Sequence, residues 1–391
     1  MENSLVLTIC VIFVGAAVFS TIALALRQSL LVAYILLGVL VSYLGMDSLA
    51  DTIFIHYSGD IGIIFLLFML GLHLDPIRLI DQMKKITPTG LWSSIAFWLI
   101  GFIVMKIMGY SWFAAIFVGV SCLFSSTIIG LKLLPTKMMS PGSIGEVMIS
   151  ILLLQDFLAM LVLFFLHQFV SPTISWWHIM MLSAFLPALV VASFSFVDGV
   201  LEPLMSKHQR IREYLFLLAI AWCLGVAVLS EMSGISYEIG AFIAGISLAH
   251  LSMANYLSDI LLPLRDFFLV IFFFAVGMNI DLDLMGTIFL PACVLAVVLL
   301  VGKPYIYKIL FMRKDIGYNN AWELGLRLGQ GSEFTILMTE TAKSFQFITP
   351  RISNLIEVSA LITFLISSFI VVRYYETPIT RKANILDEDD D

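Results

Sequence analysis

The stretch Phe65-Leu-Leu-Phe-Met-Leu-Gly71-Leu-His-Leu-Asp75 returns later in the chain as Ile271-Phe-Phe-Phe-Ala-Val-Gly277-Met-Asn-Ile-Asp281, with the glycines and the aspartates both 206 positions apart. At the same offset, Ser126 in Phe124-Ser125-Ser126-Thr127-Ile128 pairs with Ser332 in Gly329-Gln330-Gly331-Ser332-Glu333-Phe334. Gly38 and Gly245, each inside an apolar stretch, lie 207 apart. Three matches in register describe an internal repeat, not the general likeness of one apolar sequence to another.

The repeat sits in a chain of 391 residues that is 60% hydrophobic and only 13% charged, with a mean hydropathy of +1.02. Soluble domains carry about 45–50% apolar and roughly 25% charged residues, and no water-facing core of this size could hide such an excess. A soluble enzyme, a nucleic-acid binder and a disordered scaffold are thereby excluded, and the chain reads as an all-α integral membrane protein whose first partner is the lipid bilayer. Net charge is -7, and the run Asp387, Glu388, Asp389, Asp390, Asp391 supplies five of those negatives. That run makes residues 376–391 a solvated acidic tail. Cys10, Cys122, Cys223 and Cys293 stand singly with no CxxC, and the six histidines form no HExxH. Neither a disulfide framework, a resident metal nor a cofactor is expected. The N-terminus lacks the cleavage pattern of a removed signal and reads as the first span.

A membrane helix needs roughly 20 apolar residues. Cutting at charged, Pro and Gly clusters gives thirteen candidate spans, at about 5–26, 29–46, 59–74, 89–109, 112–134, 143–168, 174–196, 211–230, 237–250, 263–280, 286–312, 321–346 and 352–375. Loops after odd-numbered spans, with the tail, hold sixteen Lys and Arg, among them Arg27, Arg78, Lys137, Arg265 and Arg313, against Lys106, Lys343 and Arg351 on the other side. By the positive-inside rule the C-terminus is cytoplasmic and the N-terminus outside, in a plasma (inner) membrane. The repeat offset covers seven spans, an odd number, so the two halves cross in opposite directions. Repeat one is expected at about 5–168, a linker helix at 174–196 and repeat two at 211–375, together a membrane domain over 1–375. Inverted repeats of this kind build many secondary transporters, with the substrate site between the halves near the midplane.

Spans five and twelve are interrupted centrally, by Ser125, Ser126 and Thr127 in one and by Gly329, Gln330, Gly331, Ser332 and Glu333 in the other. Backbone groups freed from a helix in lipid must be buried in protein or face a watered cavity. Two breaks at matching repeat positions would bring half-helix ends together, where dipoles and carbonyls can hold ions. Close packing through small residues explains the Ser and Gly, but not a mid-span Glu333.

A charge at the bilayer centre costs from about 2.5 kcal/mol upward, so each one is a functional candidate. Asp156, Lys303, Arg327 and Glu333 qualify. Asp156 lies roughly 20 Å and Lys303 on the order of 14 Å from the cytoplasmic ends of their spans. A carboxylate at that depth can hold a proton or a monovalent cation but hardly both, and this competition suffices for exchange. Burial favours the protonated form and a nearby Lys303 the charged one, so Lys303 could neutralise Asp156 between cations; the alternative is a static buried ion pair. Gln155 offers a neutral oxygen beside Ser125, Ser126 and Thr127, although it points about 100° round the helix from Asp156. Glu333 is expected to pair with a base or with half-helix amides rather than with the ion.

In combination, Leu70-Gly71-Leu72-His73-Leu74-Asp75-Pro76, Leu154-Gln155-Asp156, Gly240-Ala241-Phe242-Ile243-Ala244-Gly245, Phe274-Ala275-Val276-Gly277-Met278 and Gly329-Gln330-Gly331-Ser332-Glu333-Phe334 resemble the membrane domain of Kef-type potassium/proton antiporters, over about residues 5–375. The resemblance implies a sodium/proton antiporter-like fold of thirteen helices, a homodimer through a scaffold, and a mobile core with crossed broken helices. It also implies elevator-like exchange, with Asp156 as the cation and proton site and Lys303 as the core lysine. The Gln-Asp pair is similar to potassium-type members; a sodium/proton antiporter is the alternative. Kef proteins carry a nucleotide-binding regulatory domain after the membrane part, and this sequence stops sixteen residues past its last span, so the regulator is expected as a separate cytoplasmic subunit, as absent, or as part of a longer chain of which this is a piece. Two rival readings are a passive cation channel or non-transporting sensor, and an intramembrane serine protease at Gly245-Ile-Ser247 with His250.

Overall fold

A computed structural model of the chain describes residues 4–26, 28–45, 52–73, 76–135, 144–170, 176–233, 235–312 and 317–377. Asp75, Arg27, Lys137, Arg313, Lys314, Arg381, Lys382 and the acidic tail beyond Thr377 lie outside these residues. The α-helices mostly coincide with apolar stretches, with polar exceptions at Glu202–Lys207 and Tyr318–Arg327. They run as α1 (Ser4–Ala25), α2 (Leu30–Tyr43), α3 (Thr52–His73), α4 (Pro76–Ile107), α5 (Trp112–Ser121), α6 (Thr127–Lys132), α7 (Ile144–Val170), α8 (Trp176–Phe196), α9 (Glu202–Lys207), α10 (Arg212–Met232), α11 (Tyr237–Ala249), α12 (Ala254–Met278), α13 (Met285–Met312), α14 (Tyr318–Arg327), α15 (Glu333–Ser344) and α16 (Pro350–Tyr374). Among the described residues, eight helices are long and apolar enough to cross a membrane, and four shorter apolar ones accompany them. Each of the thirteen candidate stretches is helical, the fifth as α5 and α6 and the twelfth as α14 and α15.

The proline cuts were too severe. Helices α4 and α12 run straight through Pro88 and Pro263, beginning more than a turn before the predicted starts. A proline deletes one backbone bond, but packed neighbours in a membrane bundle can satisfy the freed carbonyl. The linker helix α8 likewise continues past its predicted end, through a π-helical turn at Val197–Leu201, into α9.

The chain divides into two compact units. The first comprises Met1–Val14, Leu44–Asp81 and Met160–Ala275; the second comprises Gly15–Tyr43, Gln82–Ala159 and Val276–Asp391. In the first, α3 and α11 pack backbone to backbone through glycine. A Cβ added to Gly71 would lie 2.4 Å from Phe242 O and 2.8 Å from Ile246 N, and one on Gly245 would lie 2.1 Å from Phe68 O. In the second unit, a Cβ on Gly277 would lie 2.1 Å from Ile35 O and 3.0 Å from Val39 N. Gly71 and Gly277 are 206 apart, while Phe242 follows Ile35, and Ile246 follows Val39, by 207. One close approach is thus built twice, once in each unit, at the offset seen in the sequence.

Because the clash at Gly245 is with a main-chain carbonyl, no rotamer relieves it, and Gly245→Ala must push two helices apart. Overpacking of this kind costs about 1–3 kcal/mol and occasionally more. Thermal unfolding of the purified protein in detergent should show a clear drop for Gly245→Ala. Gly199→Ala, whose Cβ would meet nothing within 4 Å, should melt like the parent.

Candidate cation-binding site

Asp156, Gln155, Lys303, Arg327 and Glu333 all fall within the second unit, and the two broken helices organise them. Helices α5 and α14 begin at Trp112 and Tyr318 and end at Ser121 and Arg327; α6 and α15 then begin at Thr127 and Glu333. Each of these boundaries recurs after 206 residues, so both helices break at the same place in the repeat. The serines have one role in common: Ser126 Oγ accepts from Ile129 N at 3.1 Å and Ser332 Oγ from Phe334 N at 3.1 Å, each satisfying an orphan donor of the restarted helix.

The breaks meet. Ser125 Oγ donates to Leu328 O at 2.8 Å, and Gln330 Nε2 approaches Ser126 O at 3.5 Å. Thr335 Oγ1 donates to Ser121 O at 2.8 Å, while Gly331 N donates to Thr363 Oγ1 on α16 at 2.9 Å. Gly325 and Gly329 let α14 and its break lie against Pro304 of α13; a Cβ on Gly325 would be 2.7 Å from Pro304 O. An apolar cluster packs beside this junction, including Phe97, Met148, Leu152, Tyr307, Phe311 and Leu324.

Asp156 on α7 is 1% exposed. The Thr127 hydroxyl, at the first residue of α6, lies 3.0 Å from its Oδ1 and 2.9 Å from its Oδ2, so one proton is shared between two acceptor oxygens. Glu333, buried at the first residue of α15, is close enough to act on Asp156 electrostatically. Thr127 and Glu333 are repeat equivalents, and both half-helix starts therefore bear on the same carboxylate. The positive N-terminal ends of α6 and α15 can help to hold such negative charge.

Lys303 and Gln155 depart from what the sequence predicts. Lys303 Nζ is buried and donates to Phe124 O at 2.6 Å and to Gln330 O at 3.1 Å, with Ser125 Oγ at 3.5 Å and the Phe97 ring centroid at 5.2 Å. Among the described residues, no ion pair joins it to Asp156. It pins a carbonyl from each break. The oxygen of Gln155, the expected ligand, accepts from Ser125 N at 3.0 Å, and its Nε2 donates to Tyr307 Oη at 2.8 Å. Its amide therefore holds the first break in shape, and a ligand role has to compete with that bond. Arg327 pairs with Glu323 one turn back, at 2.8 Å, and not with Glu333; it also donates to Leu133 O and to Glu376 O.

Sequence reasoning passed over Tyr307, Gln330 and Thr363. Tyr307 carried a readable signal, since it stands four residues after Lys303 and so on the same helix face. Gln330 was legible only as part of a break, and Thr363 not at all.

In the first unit, Ser247 Oγ donates to Ala244 O at 2.7 Å and accepts from Trp222 Nε1, whereas His250 Nε2 pairs with Asp198 Oδ1 at 2.8 Å. Among the described residues no histidine bonds this serine, and His250 is engaged with Asp198, which argues against the protease reading. The four cysteines are free.

Residues 10–376 match the family described as sodium/hydrogen exchanger, transmembrane. The chain is 28% identical over 365 residues to K(+) efflux antiporter 4 of Arabidopsis thaliana, covering 90% of this chain and 61% of that protein. It is 26% identical to K(+) efflux antiporter 6 of the same plant, again over 90% of this chain and 60% of that one. The chain thus spans about three fifths of the length of these curated relatives. Among solved structures it is similar to the sodium proton antiporter MjNhaP1 from Methanocaldococcus jannaschii at pH 8, with TM-score 0.67, 16% identity, 93% of this chain and 96% of that chain covered. This last likeness is one of fold.

Proposed function

The chain belongs to the sodium/hydrogen exchanger transmembrane family, and from that premise we propose that it exchanges a monovalent cation for protons at Asp156, with potassium as the favoured ion and sodium as the second. The observation that carries the reading is a carboxylate 1% exposed, reached by the starts of two half-helices, with a single hydroxyl as its hydrogen-bond donor among the described residues. An ionised carboxylate in low dielectric is costly unless it is paired. It therefore takes a proton, or it takes a cation together with the oxygens of Thr127, Ser125 and Ser126. Binding of either expels the other, which gives one-for-one electroneutral exchange without a cofactor.

Potassium is favoured by the Gln155-Asp156 pair and by the likeness to plant proteins named K(+) efflux antiporters. Glu333 is the feature that favours the sodium alternative, because a second acid near Asp156 strengthens the field at the site, and a stronger field suits the smaller ion. Elevator-type movement, a homodimer, and a plasma-membrane location with the C-terminus in the cytoplasm belong to the same proposal. The repeat, the lysine and arginine distribution and the family likeness support them.

The test is reconstitution in liposomes with an internal pH dye. An outward potassium gradient should drive proton uptake, sodium should do so less well, and clamping the membrane potential should leave the rate unchanged. Cation flux without proton movement would mean a channel, and no proton movement with potassium, sodium or lithium would overturn the reading.

A further inference from the structure

Far along the chain from Asp156, the second unit contains another buried carboxyl that the exchange reading does not use. Glu357 on α16 is 1% exposed. Its Oε1 accepts from Ser353 Oγ at 2.6 Å, one turn back, and its Oε2 accepts no hydrogen bond among the described residues. Asn354, three positions before Glu357 and equally buried, donates through Nδ2 to Asp281 O at 3.3 Å, and its Oδ1 likewise accepts nothing. Positions three apart share a helix face, so one face of α16 carries two acceptor oxygens in need of a donor.

The neighbours do not supply a positive charge of their own to spare. Glu340 and Lys343 of α15 both act on Glu357 electrostatically. The lysine faces Glu340 at 3.7 Å, and those two side chains are partly exposed. The other charged groups on α16 and on the helices packed against it are engaged elsewhere: Lys303 at the two breaks, Lys308 with Tyr318 Oη, Glu333 by Asp156, Arg327 with Glu323 and Glu376 O, and Arg351 over the Tyr110 ring, while Arg373 is exposed. Helices α2 and α5, which also touch α16, contribute no acid or base beyond tyrosine. Among the described residues, an ionised Glu357 would thus have a neutral hydroxyl as its one hydrogen-bond donor, with Glu340 and the lysine that faces it alongside, in a position 1% exposed.

We propose that Glu357 is a second intramembrane proton-binding site, holding a proton on Oε2 as a neutral carboxyl at neutral pH, with Glu340 and Lys343 at its partly exposed edge. Binding forms one O–H bond on the carboxylate, takes the proton from water and changes the local charge by one. Glu333 and Glu340 are seven residues apart, two turns of α15 or about 10 Å. Helix α15 therefore carries an acid near a buried carboxyl at both of its ends, Asp156 by Glu333 and Glu357 by Glu340. The inference does not depend on the exchange reading.

Infrared spectroscopy of the purified protein in detergent, in light and heavy water at neutral pH, tests it. The wild type should show a protonated-carboxyl band that shifts on deuteration. Glu357→Gln should lose one carboxyl's share of that band, and should lose the same share again when it is made in an Asp156→Asn background. Because glutamine matches a neutral carboxyl in shape and can donate, Glu357→Gln should also melt within a few degrees of the parent, whereas Glu357→Ala should melt lower. If Glu357→Gln instead loses intensity from the ionised-carboxylate band, Glu357 is an anion and the proposal is overturned. Loss of transport in Asp156→Asn, with or without this band, bears only on the exchange reading.

Discussion

Asp156→Asn is expected to reduce cation-driven proton movement in liposomes to the rate of empty vesicles. The amide keeps the shape of the carboxyl and can still accept from Thr127 Oγ1, now 3.0 Å and 2.9 Å from the two carboxylate oxygens. It cannot bind a proton, and it brings no charge to hold a cation. Every step that depends on alternation between the two then fails together. Stability should move in the opposite direction. Where the site is ionised, removing a buried charge that has, among the described residues, one hydroxyl as its hydrogen-bond donor relieves desolvation, and where it is protonated the amide replaces a neutral group of the same shape, so the variant should melt at or above the parent temperature. The pair of measurements separates lost chemistry from lost folding. A variant that retained proton movement would show that the carboxylate is not the exchange site.

The second large effect is expected at Lys303. Its ammonium supplies charge-assisted bonds to Phe124 O and Gln330 O, one carbonyl in each break. Lys303→Met would leave both carbonyls buried without that donor, and each such bond contributes about 1.5–3 kcal/mol. Relief of the ammonium's own desolvation offsets part of this, for a net loss of about 2–3 kcal/mol. Lys303→Gln, which keeps one donor group, should fall between Met and the parent in thermal unfolding. If Lys303→Met melted like the parent, the clamp would contribute nothing and the lysine's role would have to be sought in its charge alone.

The contrast between these two residues shows where sequence reasoning stops. Asp156 is legible because an ionisable residue deep in an apolar stretch is expensive wherever its side chain points. Lys303 is expensive for the same reason, and it too stood out. Its partner did not. The sequence offered Asp156 as the complementary charge, yet the ammonium bonds carbonyls at residues 124 and 330, which are 179 and 27 positions away from it. Gln155 makes the same point one residue from Asp156. A step of about 100° round α7 aims it at Ser125 N and Tyr307 Oη, away from the role its chemistry suggested.

By itself the sequence determined the solvent of this protein, the helical character of its elements, the repeat at 206 residues and the sites of both breaks. Those features follow from composition and from local backbone chemistry: apolar length, and small or polar residues that cannot sustain a helix in lipid. The tertiary structure decided the rest. Only packing brings Gly71 against Phe242 O, lays one break on the other, sets Glu333 near Asp156 and leaves Glu357 Oε2 in want of a donor. A hydrogen bond is satisfied or missed within a few tenths of an ångström and a limited range of angles, and the residues that meet it come from elements that no local pattern ties together.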